Sequence, residues 1–396
     1  MIKSLTPEWE FLAACLRSTL SPASEQPRAA PAGLDWERLL ADAARHRCIA
    51  LLQSALHRAG GAAIPAAARD RLRQAAATEL RRSAFLLHRA LDLLNVLRHA
   101  GIRAMPLKGP ALSLMAYGDA VLRSCDDLDL LVPPAQFLAA QDVMRRQGFQ
   151  PLVDLTPAED RAHLRLGWDR GWRSPAGDYC VELAVSVCPA YFAFDLPAAR
   201  LWANPGRLTM EGQEVEVPAI EHLLLLVSVH GAKHLWSRLI WAADIAGLLE
   251  RACRDVDWEK LLRQASALGG KRLLLVGLDL ARRLTTTALP PAVGAAMGED
   301  PIVRVLAAQV QRQWQRPPPR VPTPWQEVRF HLRYRERCRD RLRYLARFAL
   351  LPGYSDWRWI RLPTHLAFLY YVLRPFRLAF GRLRSGAPGA ARVRKE

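Results

Sequence analysis

Long apolar runs, paired cysteines and lysines are scarce in this chain, and each scarcity closes off a class of protein. The longest late apolar stretch, near residues 366–373, stops at Arg374 and Pro375. It falls short of the ~20 residues that a membrane-spanning helix needs. The seven cysteines (Cys15, Cys48, Cys125, Cys180, Cys188, Cys253, Cys338) are scattered, odd in number and without a Cys-x-x-Cys pair. A disulfide framework and a cysteine zinc site are therefore not expected, and a reducing cytoplasm is the expected setting. The first residues, MIKSLTPEWEFLAACLRSTL, hold only a short apolar stretch broken by Arg17, so no signal peptide is expected. There is no internal repeat. Only six of the 56 bases are Lys, a bias that fits a GC-rich coding sequence, and a surviving lysine such as Lys108 marks a place that wants a point ammonium rather than a fork.

Acids are scarce at one end. Residues 301–396 carry 21 bases and five acids, so +16 of the chain's +18 lies there and the first 300 residues are nearly neutral. A uniformly basic nucleic-acid coat is excluded. With 51% hydrophobic and 24% charged residues over 396 positions, the chain is globular, and its length predicts two or three domains.

Leu, Ala and Ile at three- and four-residue intervals predict helices over 36–59 and 66–99, after a Pro/Ala-rich loop at 21–35. The texture changes at Gly101. A short apolar run at 102–107 leads into Lys108-Gly109-Pro110 and a short helix over 111–117. Residues 127–132 alternate acid with apolar residues and stop at Pro133-Pro134, which predicts a strand. A helix over 136–147 follows. Hairpins are predicted from 167–173 with 179–187, and from 207–210 with 215–217. Further helices are predicted at 220–249 with a break near Gly231, then at 258–268, 271–285 and 302–315. PPPRVPTP at 317–324 predicts an extended linker. Helical segments at 327–349 and 357–381 and a disordered end, SGAPGAARVRKE, complete the chain. The expected fold class is α+β, organised as an N-terminal helical region (1–100), a mixed core (101–218), a helical domain (219–316) and a linker with an arginine-rich amphipathic region (317–396).

Chemistry concentrates in LKGPALSLMAYGDAVLRSCDDLDLLV, residues 107–132. Asp127 and Asp129 are two apart on a strand and so share a face. Two adjacent carboxylates repel unless a cation sits between them, which points to a hard divalent ion; the alternative is two acids on a wet surface strand. Upstream, a strand turning at Gly109 into a helix offers unpaired N–H groups where an anion can approach closely. Lys108 adds a positive charge, and Arg123 has the reach to hold the same phosphates bidentately. Phosphate donors beside paired metal carboxylates make the two halves of a nucleotide-polyphosphate site.

These residues resemble the polymerase-β-like nucleotidyltransferases. The wording Leu-Lys-Gly, then a Tyr, an Arg and Asp-x-Asp-Leu-Leu-Val is similar to the bacterial uncharacterised nucleotidyltransferase family. The likeness extends to the helical lead-in, to the run from His230 through His234, Trp236 and Trp241 to Asp244, and to the arginine-rich end. The usual Gly-Ser or Gly-Gly turn is replaced here by Lys108-Gly109-Pro110.

The resemblance implies a polymerase-β-like core set between helical regions. It also implies a third carboxylate on a later strand, for which Glu182 is the best match and Asp178 the fallback. Asp127, Asp129 and Glu182 would then hold two Mg²⁺, with Mn²⁺ as substitute, and an NTP would pass its nucleoside monophosphate to an acceptor hydroxyl with loss of pyrophosphate. The acceptor, whether small molecule, protein or RNA, is encoded in no motif. His230 and His234, with Lys233 and Asp244, would line the nucleotide or acceptor cleft; the alternative is a polar helix cap packed on Trp236 and Trp241. A zinc-protease reading of the His pair fails because Gly231 stands where a general-base Glu is needed.

Two other function classes compete. A glycosyltransferase using Asp-x-Asp needs several βα units before the motif, and this chain has helices there. A non-catalytic nucleotide-binding or scaffold protein would use the basic end to dock on RNA or, peripherally, on the inner face of a membrane. For the arginine-rich end itself the alternative is packing against the body with the arginines snorkelling.

Overall fold

The computed structural model describes residues 6–21, 30–60, 64–316, 324–360, 362–363 and 366–380. Most of the expected Pro-rich linker, most of the loop at 21–35 and the whole expected disordered end lie outside them. The amphipathic spacing before residue 100 resolves into α1 (Pro7–Leu20), α2 (Trp36–Arg45), α3 (Ile49–Arg58) and α4 (Ala66–His99). Thr6 and Asp35 open α1 and α2 by accepting from the N–H groups of Trp9 and Arg38, as short polar side chains do at helix starts. The single helix expected over 36–59 is two, because Arg47 takes a left-handed conformation (φ 61°) that interrupts the helical ladder.

The middle of the chain runs β1 (Met105–Pro106), α5 (Gly109–Tyr117), β2 (Asp127–Leu131), α6 (Phe137–Arg146), β3 (Gln150–Pro151), α7 (Pro157–Arg165), β4 (Arg170–Arg173), β5 (Cys180–Ala184), α8 (Ala198–Ala203), β6 (Gly206–Met210) and β7 (Gln213–Val217). The first five strands form one mixed sheet in the order β1-β2-β5-β4-β3, and β6 pairs with β7 as a separate hairpin. All pairings are antiparallel except that of β2 with β5. The α+β class is as expected.

Alternation along these strands sorts the residues. Leu128, Leu130, Val181 and Leu183 are buried in one cluster with Leu86, Leu93 and Leu97 of α4 and Phe137 and Met144 of α6. Two helices therefore cover one face of the sheet, and the opposite parity puts Asp127, Asp129 and Glu182 on the other.

Helices resume as α9 (Ile220–Lys233), α10 (Ile240–Ala252), α11 (Trp258–Ala267), α12 (Lys271–Ala281), α13 (Pro291–Glu299) and α14 (Pro301–Trp314). They are followed by α15 (Pro324–Arg333), α16 (Cys338–Leu350), α17 (Tyr354–Trp359) and α18 (Leu369–Phe380). The largest apolar cluster extends from Trp9 to Tyr334 and joins the early helices to α5 and α9 through α14. Helix α10 lies so close to α5 that a Cβ on Gly247 would stand 2.3 Å from the Ala116 carbonyl oxygen. Only glycine allows that approach, and it holds the C-terminal end of α5 against α10.

The sequence pattern does not reveal α7, α8, α13 and β3, which are short, and predicts single helices over 327–349 and 357–381 where each is two. In the first, Arg335 lies in the interruption. Its guanidinium is 2% exposed, rests against the Phe192 and Tyr344 rings, and donates to the carbonyls of His331 (2.8 Å) and Phe192. Much of the basic end is spent in this way on packing: Arg374 and Arg377 both bind Asp356, and Arg343 and Arg347 bind Asp195.

Buried histidines pin distant segments together. His46 Nδ1 accepts from the Leu239 N–H (3.1 Å), so its Nε2 donates to the Trp314 carbonyl (3.1 Å). His331 Nε2 donates to the Ala232 carbonyl (3.2 Å) while the Tyr344 hydroxyl donates to Nδ1 (2.9 Å). Burial, reinforced by neighbouring arginines, lowers His46 and His331 to about 3 and His163 to about 4. These groups fold neutral, and the unfolded chain takes up their protons first. Their contribution is complete above the unfolded histidine value of about 6.5 and is lost as pH falls toward the folded values. We expect the thermal unfolding midpoint to drop steadily between pH 7 and pH 4.5, and His331→Phe, which has no proton to gain, to flatten that slope; equal slopes would refute the assignment.

Candidate active site

Two strands, one helix start and two left-handed turns build the site. Parallel pairing of β2 with β5 sets Asp127 opposite Cys180 and Asp129 opposite Glu182. In-register neighbours on adjacent strands lie about 4.8 Å apart with side chains on the same face, so the three acids predicted from sequence stand side by side. Glu182 is 8% exposed, and Asp127 and Asp129 are half-buried.

Lys108 caps α5 and reaches across to Asp129, with Nζ 2.8 Å from Oδ1. Burial by itself lowers a lysine. Here Asp129, Asp127 and Glu182 together override burial and hold the ammonium above its ordinary range. Gly109 begins α5 at φ 63°, and a Cβ there would sit 4.0 Å from the Asp127 carbonyl oxygen. The helix start thus lies against the strand that carries the acids, with its first N–H groups unpaired within the helix. Pro110 removes one of those donors, which leaves a smaller anion cradle than the usual Gly-Ser turn.

Arg123 does not stand at an open phosphate edge. Its Nε lies 3.1 and 3.0 Å from the two oxygens of Asp244, both side chains are buried, and the Tyr117 hydroxyl donates to the same carboxylate at 2.6 Å. Burial alone would lower Arg123, but the Asp244 carboxylate holds it above its ordinary range. Asp244, expected to line the cleft, is fully buried as this partner. The pair fastens the loop before β2 to α10, and Ser113 and Ser83 secure the Arg123 backbone with bonds of 2.9 and 3.1 Å.

His230 and His234 sit together at the end of α9 with ring centroids 4.6 Å apart, both against Trp241. Burial and the charges of Lys108, His234, Lys233 and Arg123 push His230 well below its ordinary value, so it is a neutral imidazole beside the site. Gly231 is explained by packing: a Cβ there would meet the Trp236 ring at 2.6 Å.

Two residues escaped the sequence reading. Arg47 binds Asp126 through both nitrogens (2.9 and 2.5 Å) from its left-handed turn between α2 and α3. Arg238 follows two consecutive left-handed residues, Leu235 and Trp236, between α9 and α10. The two turns are joined through His46, which bonds the Leu239 N–H and whose carbonyl accepts from Ile240 at 3.3 Å. Partial burial, with Arg47 and Arg123 nearby, lowers Arg238, while Asp126 and Asp127 draw it back. Among the described residues it has no hydrogen bond or ion pair. The only sequence signal for either residue is a charged side chain in a helix interruption, and left-handed backbone at non-glycine residues gathers at functional sites.

A protein-family model described as uncharacterised nucleotidyltransferase matches residues 32–286, well over half of the chain. The chain belongs to that family. No curated protein matches it. The matched residues include every acid and base described above, and membership supports nucleotidyltransferase activity in general.

Whether the residues of this nucleotidyltransferase family member fit a metal can be judged from the donors. Three carboxylates on neighbouring positions are hard oxygen ligands of the kind Mg²⁺ takes, and an ammonium already answers their charge. Among the described residues no group of three or more His, Cys, Asp or Glu side chains is gathered as a metal cage. The donor types suit such an ion, while the three carboxylates are not drawn together as a cage and Asp129 is engaged by Lys108, so binding would require the Lys108 ion pair to give way and the carboxylates to close in.

Breaking the Arg123–Asp244 pair from one side leaves a buried charge without its partner, which costs about 3 to 5 kcal/mol. Asp244→Ala should lose about that much in urea unfolding, and Arg123→Met with Asp244→Leu should recover part of it. Additive losses in the double variant would contradict a coupled pair.

Proposed function

We propose that this chain transfers a nucleoside monophosphate from an NTP to an acceptor hydroxyl, releasing pyrophosphate, on a polymerase-β-like core. The observation that carries this reading is the β2–β5 register, with Asp129 opposite Glu182 and Asp127 on the same face, next to the Lys108–Gly109 helix start. Family membership supports the reaction class.

Asp127, Asp129 and Glu182 would hold Mg²⁺, or Mn²⁺ in its place. When bound, the ions polarise phosphoryl oxygens and lower the pKa of the attacking hydroxyl. The acceptor oxygen then bonds the α-phosphorus, the α–β bridging bond breaks with its electrons leaving on pyrophosphate, and the hydroxyl proton passes to the carboxylate cluster. Lys108 and the Gly109 N–H are positioned at the helix start to neutralise charge growing on the leaving group. Arg238, a partly buried cation within electrostatic reach of Asp126 and Asp127 and without a hydrogen bond or ion pair among the described residues, would take the phosphate role expected of Arg123. His230 and His234 remain as uncharged wall residues of the cleft.

The ion pair of Lys108 with Asp129 favours a second reading, a protein that binds nucleotide without turnover.

Labelled NTPs, Mg²⁺ and a cell extract separate the two. Asp129→Asn should cut transfer to an extract component by about 100-fold or more while the fold and nucleotide binding persist; equal labelling by wild type and variant would leave only the binding reading. Arg238→Gln should weaken binding of a non-hydrolysable NTP by roughly tenfold, the worth of a charge-assisted hydrogen bond. Unchanged calorimetric affinity would remove Arg238 from the phosphate site.

A further inference from the structure

The C-terminal helices have a feature that the catalytic reading does not use. Helix α16 presents Leu342, Leu345, Ala346 and Leu350 to solvent at helical spacing, with Leu342 66% exposed. Beside it, α18 and the residue leading into it present Phe368, Tyr371, Val372 and Phe376, with Phe368 62% and Phe376 55% exposed. The two helices pack on each other, and Arg374 Nε donates to the Phe348 carbonyl between them at 2.9 Å. Each helix of this pair therefore keeps an uncovered apolar stripe, and large exposed apolar surface rimmed by charge marks a contact site rather than ordinary surface.

The charge around the stripes is net positive, with one exposed acid against α16, Asp195, paired with Arg343 and Arg347. From residue 338 to the end there are thirteen bases and three acids, namely Asp340, Asp356 and the terminal Glu396. Asp340 and Asp356 are each 2% exposed and held by arginines of the same region, Asp340 by Arg343 and Asp356 by Arg374 and Arg377. What helices α16 to α18 offer outward is mostly apolar or basic, with Ser355 exposed and neutral and with Arg343 and Arg347 shared with Asp195. Five of those thirteen bases and one of the three acids, Glu396, fall in residues 381–396. Among the described residues no helix is long and apolar enough to cross a membrane.

We propose that the α16–α18 layer docks this protein on the surface of an anionic lipid bilayer, the aromatic and aliphatic stripes entering the headgroup boundary and the arginines meeting lipid phosphates. A protein partner would need acidic groups opposite this rim. A bilayer supplies both halves at once, an apolar interior for Phe368 and Phe376 and a negative surface for the bases. The inference is independent of catalysis.

The test is flotation of the full chain with vesicles of phosphatidylcholine alone and of phosphatidylcholine mixed with phosphatidylglycerol, at low and high NaCl. Binding should require the anionic lipid and fall several-fold in high salt, as screened charges do. The combined variant Leu342→Ser, Phe368→Ser, Phe376→Ser should lose at least about tenfold in binding, with unchanged circular dichroism and unfolding midpoint. The proposal is overturned by absence of binding to mixed vesicles, or by equal binding of variant and wild type, which would mean charge attraction without docking. It is equally overturned if wild type ignores vesicles but forms a dimer that the variant loses, which would assign the face to a second copy.

Discussion

Three carboxylates crowded onto one face of a small sheet must be neutralised, and several side chains around them are arranged to do so. The crowding comes from the one parallel pairing in the sheet, β2 with β5, which aligns Asp129 with Glu182 rather than offsetting them. An antiparallel neighbour could have come from a tight hairpin, but a parallel one requires a long crossover. The residues between 132 and 180 make that crossover and supply β3, α7 and β4 on the way. Lys108 answers the charge directly, Arg47 pairs with the neighbouring Asp126, Arg123 pairs with Asp244, and Arg238 lies within electrostatic reach of Asp126 and Asp127.

The same constraint explains why α5 and α10 are locked so tightly. The helix start bearing Lys108 and Gly109 is useful only if it stays against β2. Gly247 allows backbone contact with Ala116, and the Tyr117–Asp244–Arg123 network ties the end of α5 and the following loop to α10. Buried ionic networks are poor sources of net stability, since desolvation offsets most of the attraction. Their value here is geometric, because the network has one arrangement in which every partner is satisfied.

The basic end divides in two once contacts are known. Arg335, Arg374 and Arg377 are structural, bound to carbonyls, rings and Asp356 inside the fold. The helices of this end also carry Leu342, Phe368 and Phe376, which no described residue covers. Composition alone weighs packing against docking for this segment, and the contacts show that packing claims Arg335, Arg343, Arg347, Arg374 and Arg377.

Periodicity determined a good deal of this protein. Alternation in 127–132 fixed the face shared by Asp127 and Asp129, the long α4 was readable to its ends, and the likeness to a nucleotidyltransferase family came from a run of residues contiguous in sequence. These are short-range properties, set by the local geometry of helix and strand. Glu182 needed the resemblance to be found, because one acid in a strand has no local signature. What only the tertiary structure decided involves partners far apart in the chain. Arg123 meets Asp244 across 121 positions, Lys108 meets Asp129 instead of an open phosphate edge, and Arg47 and Arg238 reach the site from two left-handed turns. Side-chain pairing depends on where distant backbones come to rest, and on a conformation at Arg47, Leu235 and Trp236 that no propensity favours and only the surrounding packing can hold.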